Sequence, residues 1–405
     1  MRILLYGINY APELTGIGKY TGEMAEWLSS KGHDVQVVTA PPYYPAWKIG
    51  KGYSAWKYGI EEINGVRVTR CPIWVPENQS GAKRILHLIS FALSSMPATV
   101  INSLFWRPDI IFAVEPPFFC APTAWLSARV CGARACLHIQ DFEIDAAFDL
   151  GLIRSSFLRR IAFNAEKWFT RRFDMVSTIS ERMFTKLLEK GLDKKRAVLF
   201  PNWVDTGLIY PLDEPSPMRK ELNIPDNTIV LLYSGNMGEK QGLDIIIKVA
   251  QLLVDEKNLL FILCGDGAAK ERLVKSAQGL KNVRFIPLQP FKRLNELLNL
   301  ADVHLLPQRP DVEDLVMPSK LIGMFSSGRP VIATASPGTQ VAMAVEGCGI
   351  VVLPGNPELL ATAILHLAIN LNERVQYGLN ARAKAVAQWG RDDVLGHFEE
   401  LLFRI

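Results

Sequence analysis

Three glycine-bearing turns, a lysine at the mouth of a helix and two acidic runs are the residues of this chain best suited to chemistry. Ser234-Gly235-Asn236-Met237-Gly238-Glu239-Lys240-Gln241-Gly242 joins bare backbone amides to the Lys240 cation, a pairing that suits a diphosphate. Taken alone it also reads as a solvated turn. Gly265-Asp266-Gly267 is a tight turn that lets backbone approach a ligand closely, because glycine has no side chain to hold it off. Pro318-Ser319-Lys320 ends an acidic run that contains Glu313 and Asp314, and it opens a helix. Ser319 is expected to cap that helix and Lys320 to bring charge to its positive end, a second grip on a diphosphate. An acidic surface loop with an ordinary cap is the other reading.

His138-Ile139-Gln140-Asp141-Phe142-Glu143-Ile144-Asp145 places an imidazole and three carboxylates at a strand end. Such a set can supply a general base, a clamp on a substrate hydroxyl or a metal site. Alternate residues of a strand face opposite sides, so only some converge. Asp141 and His138 are the catalytic candidates, although His138 also reads as a core histidine. Gly16-Ile17-Gly18 follows the first strand and only approximates G-x-G-x-x-G, since Thr21 replaces the third glycine and no acid ends the second strand. That is weak support for NAD and leaves a simple turn open. Gly323 to Arg329 has the spacing of a Walker A loop but carries Arg329-Pro330 where Lys-Ser/Thr belongs. A G-x-S-x-G elbow is absent from the sequence.

The elements that must position these residues alternate. Strand-like runs at 2–9, 35–39, 66–70, 109–114, 134–139 and 175–179 are separated mostly by helical patterns, and after Pro201-Asn202-Trp203-Val204-Asp205 the alternation restarts at 229–234. It continues through strands at 259–264, 283–286, 303–306, 331–334 and 349–353. This is the signature of two tandem doubly wound α/β domains. The expected division is 1–205, joined by a terminal helix at about 389–405, and 206–388. Ligands of such sheets bind at the carboxyl ends of strands, so the cleft between domains is the expected site.

Composition sets the class. The 405 residues are 49% hydrophobic and 21% charged, enough to bury and too few charges for a disordered chain. The formal charge of +4 is far below what a phosphate-tracking surface needs, which argues against nucleic acid. Residues 151–200 hold 12 basic and 5 acidic side chains, a local excess of +7. Six scattered cysteines with no C-x2-C pair suggest neither zinc nor disulfides, and with no signal peptide apparent the cytoplasm is expected. Ile85 to Phe105 imitates a membrane span, but His87, Pro97 and Asn102 interrupt it, so a buried or membrane-grazing helix is expected. The aromatics between Trp47 and Tyr58 suit either sugar stacking or ordinary packing.

Taken together, the tandem domains, the Pro12-to-Gly18 loop, Pro201-to-Asp205, Gly265-Asp266-Gly267, Pro318-Ser319-Lys320 and Gly328-Arg329-Pro330-Val331-Ile332 resemble the family 4 glycosyltransferases over essentially the whole chain. The resemblance implies a two-domain GT-B fold and a retaining transferase. It implies no cofactor beyond a nucleotide-sugar co-substrate and no required metal. Its donor-binding residues would be Gly16, Gly18, Gly235, Asn236, Lys240, Gln241, Gly265, Asp266, Gly267, Glu313, Pro318, Ser319 and Lys320. More narrowly, Tyr6 to Tyr20 and His138 to Phe148 look like the fucosyltransferases of colanic acid exopolysaccharide assembly. That likeness implies GDP-fucose, or in a broader reading a UDP-sugar, and a polyprenyl-diphosphate-linked oligosaccharide acceptor. Peripheral contact with the inner membrane would follow. The family's donor-gripping Arg and Lys fall here on Asn236 and Gln241, and its E-x7-E carboxylates on Leu315 and Gly323. Asp141 matches the family's His-Asp pair, read here as Gln140-Asp141; His138 does not. An NAD-dependent epimerase and a non-catalytic nucleotide-sugar-binding protein are the rival readings.

Overall fold

The apolar runs that the sequence presents as strands form two sheets in the computed structural model, which describes residues 1–13, 16–77, 81–145, 156–309 and 318–405. The first contains β1 (Arg2–Tyr6), β2 (Asp34–Thr39), β3 (Gly59–Ile63), β4 (Val66–Arg70), β5 (Ile110–Glu115), β6 (Arg134–Ile139), β7 (Met175–Thr178) and β8 (Ala197–Leu199). Their order is β3-β4-β2-β1-β5-β6-β7-β8. The second contains β9 (Ile229–Ser234), β10 (Leu259–Cys264), β11 (Val283–Ile286), β12 (Val303–Leu306), β13 (Val331–Thr334) and β14 (Gly349–Val352), ordered β11-β10-β9-β12-β13-β14.

Only the β3–β4 pair runs antiparallel among these strands; the others are parallel. Parallel strands are covered on both faces, which is why β5 and β10 are buried at every position. In the second sheet Leu231, Tyr233, Phe261 and Leu263 pack to one face with the helix Asp244–Leu252. Val230, Leu232, Ile262 and Cys264 pack to the other with Leu297 and Leu300. The two-residue period of the strand thus fills two cores.

Two strands escape the sequence pattern. β3 is a partly exposed Gly-Ile-Glu-Glu-Ile edge, joined to β4 by Asn64-Gly65 at φ values of 50° and 79°, the backbone of a two-residue hairpin turn. β8 has three residues at the opposite edge, too short to show a period.

The chain divides into two compact units, Met1–Pro201 with Leu395–Ile405, and Asn202–Val394. The expected return of the C-terminal helix to the first unit therefore occurs within the helix Arg391–Arg404. Its Phe398 stacks on Phe200 at 3.9 Å and meets Phe112 edge-on at 5.3 Å, while Glu399 pairs with His33 at 2.6 Å. Within the second unit the outgoing and returning segments lie side by side: Val204 N–H donates to Trp389 O at 2.8 Å and Arg391 N–H to Val204 O at 2.9 Å. Arg391 also pairs with Asp205 at 2.6 Å.

Candidate functional site

In the second unit, the turns after β9 and β10 are locked to one another backbone to backbone. Met237 N–H donates to Asp266 O at 2.8 Å and Ala269 N–H to Met237 O at 2.9 Å. A Cβ on Gly265 would stand 1.9 Å from Gly235 O, and one on Gly267 would stand 2.6 Å from Met237 O. Both glycines also hold φ near +150°, a region L side chains rarely adopt. Their first duty is therefore to let the two turns touch; the ligand-approach reading alone does not account for them.

Gly235 itself, at φ +136°, stands under the Lys320 side chain, whose Cδ lies 3.6 Å from where a Cβ would project. Lys320 Nζ donates to Tyr233 Oη at 3.3 Å and sits 4.3 Å from the centre of that ring. Tyr233 Oη in turn donates to Asn236 O at 2.6 Å. Burial pushes the Tyr233 hydroxyl up, so it stays neutral and keeps donating. One cation is thus fixed over the end of β9 by a strand residue and a turn carbonyl.

The other expected donor residues distribute around this point. Asn236 is exposed, and Gln241 holds its Oε1 buried with no hydrogen-bond partner. Asp266 is exposed and accepts from Gly267 N–H at 2.9 Å. Ser319 is the exposed first residue of the helix Ser319–Ser326; Pro318 occupies the cap position and no side chain caps the helix. The expected Ser319 cap is corrected accordingly. The side chain of Lys240, and Glu313, Asp314 and Leu315 entirely, lie outside the described residues.

In the first unit, His138 is a core group, which corrects its candidacy as a catalytic residue. It is 3% exposed, between the rings of Phe112 at 5.7 Å and Phe200 at 5.1 Å. The Gln140 amide donates to Nε2 at 3.0 Å, which leaves the proton on Nδ1 to be donated to Ser177 Oγ at 2.9 Å. Burial lowers its pKa to about 3, so it stays neutral. Asp141, two residues beyond the strand, is exposed. Of the other acids in the run, Asp145 pairs with Lys186 at 2.7 Å and Lys190 at 2.6 Å. Glu143 accepts from Phe118 N–H at 2.9 Å, and burial raises its pKa to about 7, with the Asp141 charge adding to the rise.

Glu115, at the end of β5, was not singled out by the sequence. It is 1% exposed, and neither carboxyl oxygen has a hydrogen-bond partner. Burial, then the charges of Glu166 and Glu143, push it well above the usual carboxylate range. An acid closing an otherwise apolar strand, just before Pro116-Pro117, was the available signal. Gly16 and Gly18 lie in this unit at the start of the helix Gly16–Ser30. The space a Gly18 side chain would need is taken by Glu13, whose Oε2 would lie 2.6 Å from the Cβ. Glu13 Oε1 accepts from Tyr43 and Tyr44 N–H at 3.0 and 2.9 Å.

Comparison with known proteins bears on both units. Residues 15–203 match the family model described as a glycosyl transferase 4-like domain, and residues 216–384 the one described as glycosyl transferases group 1. The sequence is 44% identical over 374 residues to the putative colanic acid biosynthesis glycosyl transferase WcaI of Escherichia coli K12, covering 90% of this chain and 91% of that protein. Sucrose-phosphate synthase from Thermosynechococcus elongatus superposes with a TM-score of 0.77 at 17% identity, over 100% of this chain and 98% of that one. Anabaena HepE, solved in complex with UDP and glucose, superposes with a TM-score of 0.71 at 16% identity over 100% of both chains. These likenesses show the fold, two Rossmann-like units of the GT-B type.

The Glu143 environment has a pH consequence. A carboxyl raised from 4.5 to about 7 contributes fully to stability below pH 4.5, and the contribution is lost as pH rises through about 7. The melting temperature of Glu143→Gln relative to wild type is expected to climb across that window and then level off. A difference that stays constant with pH would contradict the buried, proton-holding Glu143.

Proposed function

The chain belongs to the family 4 glycosyltransferases, and we propose that within this family it is a retaining enzyme that transfers fucose from GDP-fucose to a polyprenyl-diphosphate-linked oligosaccharide in colanic acid-type exopolysaccharide assembly. The observation that carries the donor half is Lys320, held over Gly235 at the end of β9. As the bond between the sugar C1 and the diphosphate oxygen breaks, negative charge builds on the departing diphosphate. A cation and amides fixed in advance favour that state over the ground state. The acceptor oxygen forms the new bond to C1 and its hydroxyl proton departs. Asp141 orients that hydroxyl or takes the proton. Glu143 and Glu115, held toward their neutral forms, limit like-charge repulsion around it. The 44% identical relative, named for colanic acid biosynthesis, supports the pathway.

A lipid-linked acceptor calls for a membrane-facing surface, and the first unit has one of suitable chemistry. The helix Gly81–Phe105 is long and apolar enough to cross a membrane, but it turns His87, Phe91, Ser95 and Thr99 into the unit. Tyr6 Oη and Ser95 Oγ are hydrogen-bonded at 2.7 Å across that packed face. Other apolar residues of the helix point outward, including Leu93, Ile101 and Phe105, the last 83% exposed. The helix Ser156–Thr170 adds exposed Phe157, Ile161 and Trp168. Beside them Asn164, Lys167, Trp168, Arg171 and Arg172 line a surface cavity of about 440 Å³. Apolar side chains flanked by cations suit a helix lying in the headgroup layer, where each cation contributes roughly 1 kcal/mol on an anionic surface.

Two outcomes are expected. With GDP-fucose and a lipid-linked acceptor, Lys320→Ala lowers turnover about 10²-fold, on the scale of losing one transition-state donor, while its melting temperature without ligand stays near wild type; unchanged turnover would remove Lys320 from the chemistry. Arg159 and Arg160 are exposed on the same helix Ser156–Thr170, and in a flotation assay Arg159→Ala/Arg160→Ala is expected to lose binding to vesicles containing anionic lipid. Undiminished binding by the double variant would count against this membrane face.

A further inference from the structure

The amino end of the second sheet, away from the Lys320 site, holds a separate polar pocket. Asp302 precedes β12, and Gly328-Arg329-Pro330 leads into β13. The helix Leu371–Trp389 lies against that turn so closely that a Cβ on Gly378 would stand 2.3 Å from Gly328 O. The cavity, about 200 Å³, is lined by Arg329, Arg374 and Arg382 with Asp302 and the apolar Val375 and Leu379. β9 spans six residues, roughly 20 Å, so the pocket and the Lys320 turn occupy opposite ends of one sheet.

Charge in this pocket is not balanced. Asp302 is committed elsewhere: its Oδ2 accepts from Val230 N–H at 2.7 Å and from Arg219 Nη1 at 3.2 Å. Arg382 Nη1 donates to Ile209 O at 2.8 Å and Ser326 O at 3.0 Å, and Arg374 Nη1 donates to Ala368 O at 3.0 Å. These two arginines have structural duties. Arg329 differs: its Nε is buried without a hydrogen-bond partner, and no ion pair holds it among the described residues. Burial lowers its pKa, and the neighbouring Arg219 and Arg374 lower it further against the opposing charge of Asp302. A half-buried guanidinium offers a fixed fork of donors, and leaving its buried Nε without an acceptor is costly. An oxyanion would satisfy the fork and offset the excess of cations. Val375 and Leu379 form an apolar wall beside it.

We propose that this pocket is an anion site that binds a phosphate group through Arg329, with the apolar wall receiving the carbon skeleton of a phosphate monoester. The site stands apart from the donor loops and does not depend on the transferase reading. It is suited to a small effector whose phosphate bridges the β13 turn and the helix Leu371–Trp389.

The test uses the full chain with inorganic phosphate and glycerol 3-phosphate as probes, against chloride at matched ionic strength. Both probes are expected to raise the melting temperature saturably, the ester at lower concentration, and excess GDP is expected not to displace them. Arg329→Gln is expected to weaken the response at least about tenfold while melting no lower than wild type in chloride, since the orphaned cation is gone. If that variant does not fold, saturable broadening of the phosphorus resonance of inorganic phosphate by wild type, unaffected by GDP, supports the site independently. Inorganic phosphate acting as well as the ester would keep the anion site and overturn the apolar wall's role. An equal response in Arg329→Gln, displacement by GDP, or no saturable response in wild type would overturn the site itself.

Discussion

Both halves of this chain depend on one topological constraint: in each sheet the order of the parallel strands reverses once, between β1 and β5 and between β9 and β12. Crossovers to parallel strands are right-handed, so loops leaving the two strands at a reversal diverge to opposite faces and leave a crevice at their carboxyl ends. Two of the residues with unusual environments stand there. Glu115 ends β5 and Gly235 follows β9, each at a reversal. The strands beneath are apolar and buried, so the polar groups at their ends are positioned by a rigid base.

In the second unit the constraint is transmitted through glycine. The turns after β9 and β10 can interlock only because Gly265 and Gly267 have no side chain, and the interlock fixes Asn236 O as acceptor for the Tyr233 hydroxyl that also receives Lys320. A long flexible ammonium is thereby given one position before any ligand arrives, which is the preorganisation that electrostatic catalysis requires. The first unit uses burial instead. Burial first, and then the charges of neighbouring acids, hold Glu115 and Glu143 toward their neutral forms, and Asp141 is the exposed acid of the group.

The fold was legible where strands are long and covered on both faces. β1, β5, β6, β9 and β10 announce themselves as apolar runs, and their alternation with helices implies the doubly wound sheets. The short edges β3 and β8 bury too little to leave a pattern. At the site, residue type was readable and environment was not. Lys320 and the glycine turns could be found from composition and spacing. That His138 points into a stack of aromatic rings depends on packing partners distant in sequence, while Gly18 making room for Glu13 and Pro318 displacing Ser319 from the cap depend on a local backbone path that residue type does not give. Glu115 escaped notice because its meaning lies in the absence of a partner, which only three dimensions reveal.

The central claim is that the interlocked turns and Lys320 hold the diphosphate of a nucleotide sugar. Its most direct test is the melting temperature of the full chain across GDP, UDP, ADP, their sugar conjugates and NAD, because a ligand that binds only the folded state must raise it. A saturable rise with GDP and GDP-fucose above the other nucleotides is expected. A UDP-selective rise would keep the diphosphate site and discard the fucose donor, and a flat response to every nucleotide would contradict the claim.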